Sequence, residues 1–153
     1  MFRKFVIGAL GAASVLFSTA AFAQGTAADA KAMLQKTVAA LETDKVKTLD
    51  EINKGENGFL QGDIHPYCFN LSDGLMVAVA TAKARELIGK DIRTFVDATR
   101  YAYGVYIYRA AKEGEVNEVE YMFPRPGDDK TPVLKASFVT AVAGLGCAVG
   151  YTK

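Results

Sequence analysis

The chain has 153 residues, half of them hydrophobic and 23% charged, with 18 Lys and Arg against 17 Asp and Glu. A balance this close to neutral lacks the basic footprint that nucleic acid or an anionic membrane surface requires, and excludes both as default partners. It also holds one His, two Cys and no Trp, too few soft ligands for a Cys/His metal cluster.

The first 23 residues read as a secretory signal peptide. Arg3 and Lys4 form a positive n-region, Phe5 to Ala20 an apolar h-region, and Ala21-Phe22-Ala23 an A-x-A cleavage pattern that leaves Gln24 as the mature N-terminus. Gly8, Gly11, Ser14, Ser18 and Thr19 interrupt the apolar run, and a cleavage motif follows it at once, which argues against a retained span. Removing the leader leaves 16 basic against 17 acidic residues. The expected location is periplasmic or secreted. The 130 residues from Gln24 onward suit one domain, with no further apolar stretch approaching the ~18 residues that span a bilayer.

From about Thr26 to Lys54 the sequence carries no Gly or Pro, and apolar residues recur at Met33, Val38, Leu41, Val46, Leu49 and Ile52. That spacing predicts one long helix over 26–54, capped by Thr26 or Asp29, closed by Gly55, with a possible bend at Thr43-Asp44. A helix of ~28 residues would run about 42 Å, longer than a small core needs, so it is also a candidate protein contact.

The sheet portion begins near residue 59. Ile64 to Leu71 and Leu75 to Ala80 are apolar runs joined by Ser72-Asp73-Gly74, a hairpin signature. Lys83 to Ile92 reads as a helical turn and loop. Residues 94–113 fit either period, and the ending Arg109 to Gly114 favours a helix. Val119, Tyr121 and Phe123 alternate with Glu118, Glu120 and Met122, as in a strand with one buried face. A Pro- and Gly-containing loop follows from Pro124 to Pro132, then strands at Val133 to Ala141 and Leu145 to Tyr151, divided by Gly144. Cys68 and Cys147 each lie inside an apolar run. They are either separate buried thiols or, if their strands are neighbours, a disulfide.

This order of elements resembles the single Cache domain family of extracellular sensory domains, which have a PAS-like fold. The matching stretches are Gly62 to Phe69 leading to Asp73-Gly74, Leu87 to Asp91, Asp97, the aromatic segment after it, Glu120 to Pro126, Lys135, and Gly144-Leu145 through Gly150-Tyr151. They cover essentially all of the chain after the leader. Ala80-Thr81-Ala82 stands where the family often has His-Pro. The resemblance implies an α+β fold: a five-stranded antiparallel sheet, a long N-terminal helix, and short helices between strands 2 and 3. It places the first and last strands side by side at the centre, which would bring Cys68 next to Cys147. It also implies binding of a small metabolite, commonly an organic acid. Most members are tethered to kinases or chemoreceptors, whereas this sequence stops two residues after Tyr151; the expectation is a sensory domain without its own output module.

Four residues are candidate ligand contacts. Tyr67 shares a strand face with Phe69, while Cys68 and Asn70 point the other way. Lys135 alternates with Val133, Ser137 and Val139; it sits at an edge, snorkels to solvent, or faces an anion. Arg125, between two prolines, offers a bidentate fork for a carboxylate. Tyr103 belongs to a group with Tyr101, Tyr106 and Tyr108 that could wall a pocket, although one helix cannot aim all four inward. His65 and Asp63 could share a strand face, but nothing completes a four-ligand metal shell. No nucleophile elbow, P-loop or dinucleotide fingerprint is present, and strand alternation sends Cys68 away from His65. The reading is therefore a non-enzymatic domain, without cofactor, that binds a small and anionic metabolite. The alternative is an interaction module whose long helix docks a membrane receptor or kinase, or a second copy of the chain in a homodimer.

Overall fold

Thr26 opens the first helix by a reciprocal cap. Its hydroxyl accepts the Asp29 N–H at 3.2 Å, and the Asp29 carboxylate accepts the Thr26 N–H at 2.8 Å. A computed structural model of the chain describes residues 24–124 and 131–153; the expected signal peptide, 1–23, lies outside the described residues. Helix α1 spans Ala27–Thr43 and buries Ala30, Met33, Leu34, Thr37 and Leu41, one stripe at helical spacing.

The single helix expected over 26–54 is interrupted at Asp44. The extended backbone of Asp44 ends α1, where its N–H still donates to the Ala40 carbonyl, and its carboxylate accepts the Lys47 N–H to start α2, Lys45–Lys54. An aspartate can close one helix and cap the next because its short side chain reaches back to the backbone. Gly55, at φ 67°, ends α2 in the left-handed conformation that glycine adopts without penalty.

The strands are β1 (Pro66–Asn70), β2 (Met76–Val79), β3 (Asn117–Pro124), β4 (Pro132–Val142) and β5 (Leu145–Thr152). They form one antiparallel sheet in the order β2-β1-β5-β4-β3, with the first and last strands paired and β5 central. β4 returns to β5 through Ala143-Gly144, at φ 51° and 77°, a two-residue turn with both residues left-handed. The fold is α+β, as expected.

Side-chain alternation divides the sheet into two cores. Cys68, Ala78, Ala136, Phe138, Cys147, Val149 and Tyr151 pack under α1 and α2. Phe69, Val79, Val119, Tyr121, Val139 and Ala148 face the opposite way and pack against Ile92 and Ile107. Cys68 pairs directly with Cys147 across β1 and β5, Cα atoms 4.2 Å apart, and the two form a disulfide on the helix side.

Between β2 and β3 the chain makes two 3-10 turns, Ala82–Leu87 and Ile92–Thr94, and a short helix α3, Tyr103–Ala110. The helix expected over 94–113 thus begins only at Tyr103. Its front half is replaced by a turn around Asp97, whose Oδ1 accepts the Thr99 and Tyr101 N–H groups at 2.8 and 3.0 Å and the Thr99 hydroxyl at 2.6 Å. Gly104 lets α3 press onto the preceding turn: a Cβ there would stand 1.9 Å from the Ile92 carbonyl oxygen.

Both sheet edges are partly satisfied by side chains, as edges in stable monomers tend to be. Asn53 of α2 donates to the Val77 carbonyl at 3.1 Å and accepts the Val79 N–H at 2.9 Å along β2. Asp97 Oδ2 accepts the Met122 N–H of β3 at 3.0 Å. Among the described residues no helix is long and apolar enough to cross a membrane.

Candidate ligand site on the outer sheet face

The face turned away from α1 and α2 is apolar at one end and polar at the other. Registers place Lys135 of β4 opposite Tyr121 of β3 and Thr152 of β5, and Ser137 opposite Val119 and Gly150. Tyr67 of β1 pairs with Ala148 on the same face. At the polar end Ser137 is fully buried and lies at the meeting point of two phenols. The Tyr67 hydroxyl donates to Ser137 Oγ at 3.1 Å, and the Tyr121 hydroxyl lies 2.8 Å from the same atom. Gly150 leaves room for this junction; a Cβ there would sit 3.2 Å from Ser137 Oγ and 3.4 Å from the Tyr121 hydroxyl.

Tyr103 of α3 stacks on Tyr121, ring centroids 4.5 Å apart, and closes the far side of the group. Burial pushes all three phenols above the ordinary tyrosine range, Tyr67 strongly so. They are neutral at physiological pH and act as hydroxyl donors and acceptors, not as phenolates. Of the four tyrosines from 101 to 108, only Tyr103 joins this group. Tyr108 packs on Phe69 and donates to the Leu71 carbonyl at 2.5 Å, while Tyr101 and Tyr106 stack on each other at the surface.

Lys135 is half-buried on the same sheet face, two residues along β4 from Ser137. Its ammonium stands 5.6 Å from the centroid of the Phe123 ring, and among the described residues it has no ion-pair or hydrogen-bond partner. Burial lowers its pKa from 10.5, an effect that Asp63 partly opposes. His65 is shifted down from 6.5, chiefly by burial and next by the Lys135 charge, so it is neutral at pH 7. Among the described residues, three buried polar atoms at this end lack a protein partner: Asp63 Oδ2, His65 Nδ1 and Thr152 Oγ1. Asp63 Oδ1 is occupied, accepting the Gly25 N–H at 2.9 Å.

Tyr67, Lys135 and Tyr103 therefore converge on one polar end of the sheet, whereas Arg125 lies outside the described residues. Ser137 and Tyr121 had no place among the candidates read from sequence. Their signal was the alternation itself, which sets Ser137 two residues from Lys135 and Tyr121 on the inward face of its strand. As ligand contacts Asp63 and His65 have no place in the sequence reading, which pairs them only as metal ligands; no group of three or more potential metal ligands occurs among the described residues.

An open cleft of about 410 Å³ lies elsewhere, between α3 and β3, lined by Tyr101, Tyr106, Arg109, Lys112, Glu118 and Glu120. Its charged groups are exposed, and Lys112 already lies 3.8 Å from Glu115. Among the described residues no buried, unpartnered polar atom faces it, so the Lys135 end is the better candidate.

No family model matches the sequence, and no curated protein does. Solved structures do match in shape. A periplasmic sensor domain of a chemotaxis protein aligns with a TM-score of 0.58 at 20% identity, over 80% of this chain and 86% of that one. A methyl-accepting chemotaxis protein from Vibrio parahaemolyticus aligns with a TM-score of 0.64 at 14% identity, over 82% and 86%. A Cache chemosensory domain, solved to explain carboxylic acid recognition, aligns with a TM-score of 0.52 at 20% identity, over 80% and 84%. The chain thus carries the Cache-like, PAS-type fold found in periplasmic chemosensory domains.

Proposed function

We propose that this chain is an exported, non-catalytic sensory domain that binds a small carboxylate at the Lys135 end of its outer sheet face. The observation that carries the reading is the Lys135 ammonium itself. It holds a half-buried position on the sheet face that carries the Tyr67–Ser137–Tyr121 hydroxyls, with no carboxylate of its own within ion-pair distance among the described residues. A desolvated cation costs free energy that an anionic ligand returns on binding. The hydroxyl chain leaves one hydrogen free as a further donor, on Ser137 or Tyr121, and the stacked pair Tyr103 and Tyr121 forms an apolar wall. The carboxylic acid recognition described for one structural neighbour agrees in ligand chemistry. Export to the periplasm follows from reading residues 1–23 as a leader, with 24–153 as one Cache-like unit; Arg125, which the sequence offers as a fork for a carboxylate, is a further proposed contact.

The alternative of a long docking helix has less support. The apolar stripe of α1 is buried against the sheet, and Val46 stands alone as an exposed apolar side chain of α2. A thermal-shift screen of short mono- and dicarboxylates tests the proposal. Binders should raise the melting temperature by ligand linkage, and Lys135→Ala should remove the shift. A shift that survives Lys135→Ala would move the site elsewhere.

A further inference from the structure

The Lys135 cation is not the only unmatched group at this end of the sheet. Asp63 spends one carboxylate oxygen on the Gly25 N–H, 2.9 Å away, and buries the other without a partner among the described residues. A buried carboxylate oxygen asks for a donor. Lys135 does not supply it, since no ion pair within 4 Å joins the two, although each lies within the other's electrostatic reach. The neighbouring His65 Nδ1 and Thr152 Oγ1 are buried and unpartnered as well, and Thr152 stands directly opposite Lys135 in the β4–β5 register.

A plain monocarboxylate satisfies only half of such a site. Its oxygens complement the ammonium of Lys135 and the one hydroxyl hydrogen, on Ser137 or Tyr121, that the Tyr67–Ser137–Tyr121 chain leaves free, yet they meet repulsion from Asp63. We infer, resting on the carboxylate-binding reading above, that the ligand is a short carboxylate bearing a hydrogen-bond donor, a hydroxyl or an ammonium, that bonds Asp63 while the carboxylate bonds Lys135. Asp63 is then the specificity-determining residue of the site. Sites built to hydrogen-bond a substituent reject the analogue that lacks it more strongly than apolar pockets discriminate by size. Because Asp63 also holds Gly25, one residue before the Thr26 cap of α1, the same carboxylate ties the ligand's donor to the start of the N-terminal helix.

Isothermal titration with three-carbon acids that share one skeleton tests this directly. Propionate carries no donor; lactate and alanine carry one at C2, and 3-hydroxypropionate and β-alanine carry one at C3. At least one donor-bearing acid should bind about tenfold or more tightly than propionate. Asp63→Asn keeps an acceptor for Gly25 but turns the free oxygen into a donor. It should bring the favoured acid down to the level of propionate, with the melting temperature of the unliganded protein little changed. Propionate binding as tightly as every substituted acid, with Lys135→Ala abolishing it, would overturn the inference and leave the carboxylate reading standing. Absence of binding by all five acids and by longer donor-bearing homologues would overturn both. The wild-type series decides the matter even if Asp63→Asn does not fold.

Discussion

Tyr121 and Ser137, neighbours across the β3–β4 pair though not directly opposite in register, bring their hydroxyls within 2.8 Å of each other on the sheet face that carries Lys135. Ser137 also accepts from Tyr67, which joins β1 to β4 across the central strand β5. One small side chain therefore holds two large phenols in place, and both phenols border the proposed ligand. Positioning and stability are coupled at this point.

Replacing Ser137 with Ala strips the shared partner from both hydroxyls. Each is buried, and a buried donor left unsatisfied costs about 1–3 kcal/mol. Chemical denaturation should show a loss in that range, with ligand affinity falling in parallel because Tyr67 is no longer oriented. A Tyr121→Phe variant, which removes one hydroxyl with its hydrogen bond, should lose less. Equal stability of Ser137→Ala and wild type would mean that the hydroxyl chain is not held by Ser137.

The disulfide lends itself to a separate measurement. Cys68 and Cys147 are 79 residues apart in sequence, so the bridge restricts a large part of the unfolded chain. Bridges in small exported domains contribute about 2–5 kcal/mol. Both sulfurs lie in the core beneath α1, and the residues are fully buried. The folded protein should therefore resist mild reductant, while unfolding in reductant should occur at a lower denaturant concentration by that amount. Intact mass under non-reducing conditions should be lighter by two hydrogens than after reduction.

The outline of the fold was legible in the sequence because its period-two and helical patterns were each consistent with burial on one side. Lys135, Ser137 and Val139 alternate on one face, and Phe138 turns to the other, as the strand pattern required. Asp44 was legible only as a bend, since an N-cap inside a helical pattern looks like any exposed aspartate until its carboxylate is seen on the Lys47 N–H. Residues 94–102 misled for a related reason. The apolar spacing suited a helix, but the Asp97 carboxylate gathers the backbone of its own loop and of β3, a tertiary preference that overrides local period. The convergence of Asp63, His65 and Thr152 on Lys135 depends on strand order, and spacing along the chain carries no trace of it.

His65 gives the protein a narrow pH signature. Its folded pKa is depressed by burial and by the Lys135 charge, from an ordinary value of 6.5. The unfolded chain therefore takes up a proton as pH falls through 6.5 while the folded protein does not, and stability declines across that window until the folded pKa is reached. His65 is the only histidine, and the depressed carboxylates Asp97 and Glu118 act only at lower pH, below their ordinary values of 3.8 and 4.5. Melting temperature should fall between about pH 7 and pH 5.5, and His65→Gln should flatten that slope. An unchanged slope in the variant would assign the decline to another group.

Lys135 separates function from stability most sharply. A lysine placed there for structure would be missed when removed, because its ion pairs would be lost. A lysine placed there for a ligand is a liability in the unliganded protein: its ammonium is partly desolvated, its pKa is lowered by that burial, and it makes no ion pair among the described residues. Lys135→Met keeps the aliphatic stem against Phe123 and removes the charge. The unliganded variant should be more stable than wild type by about 0.5–2 kcal/mol, the range typical of relieving a functional site, and it should bind no carboxylate. Differential scanning calorimetry without ligand, paired with titration of the favoured acid, reads both effects. A variant that is less stable and still binds would make Lys135 a structural residue, and the ammonium would then lose its role in the site.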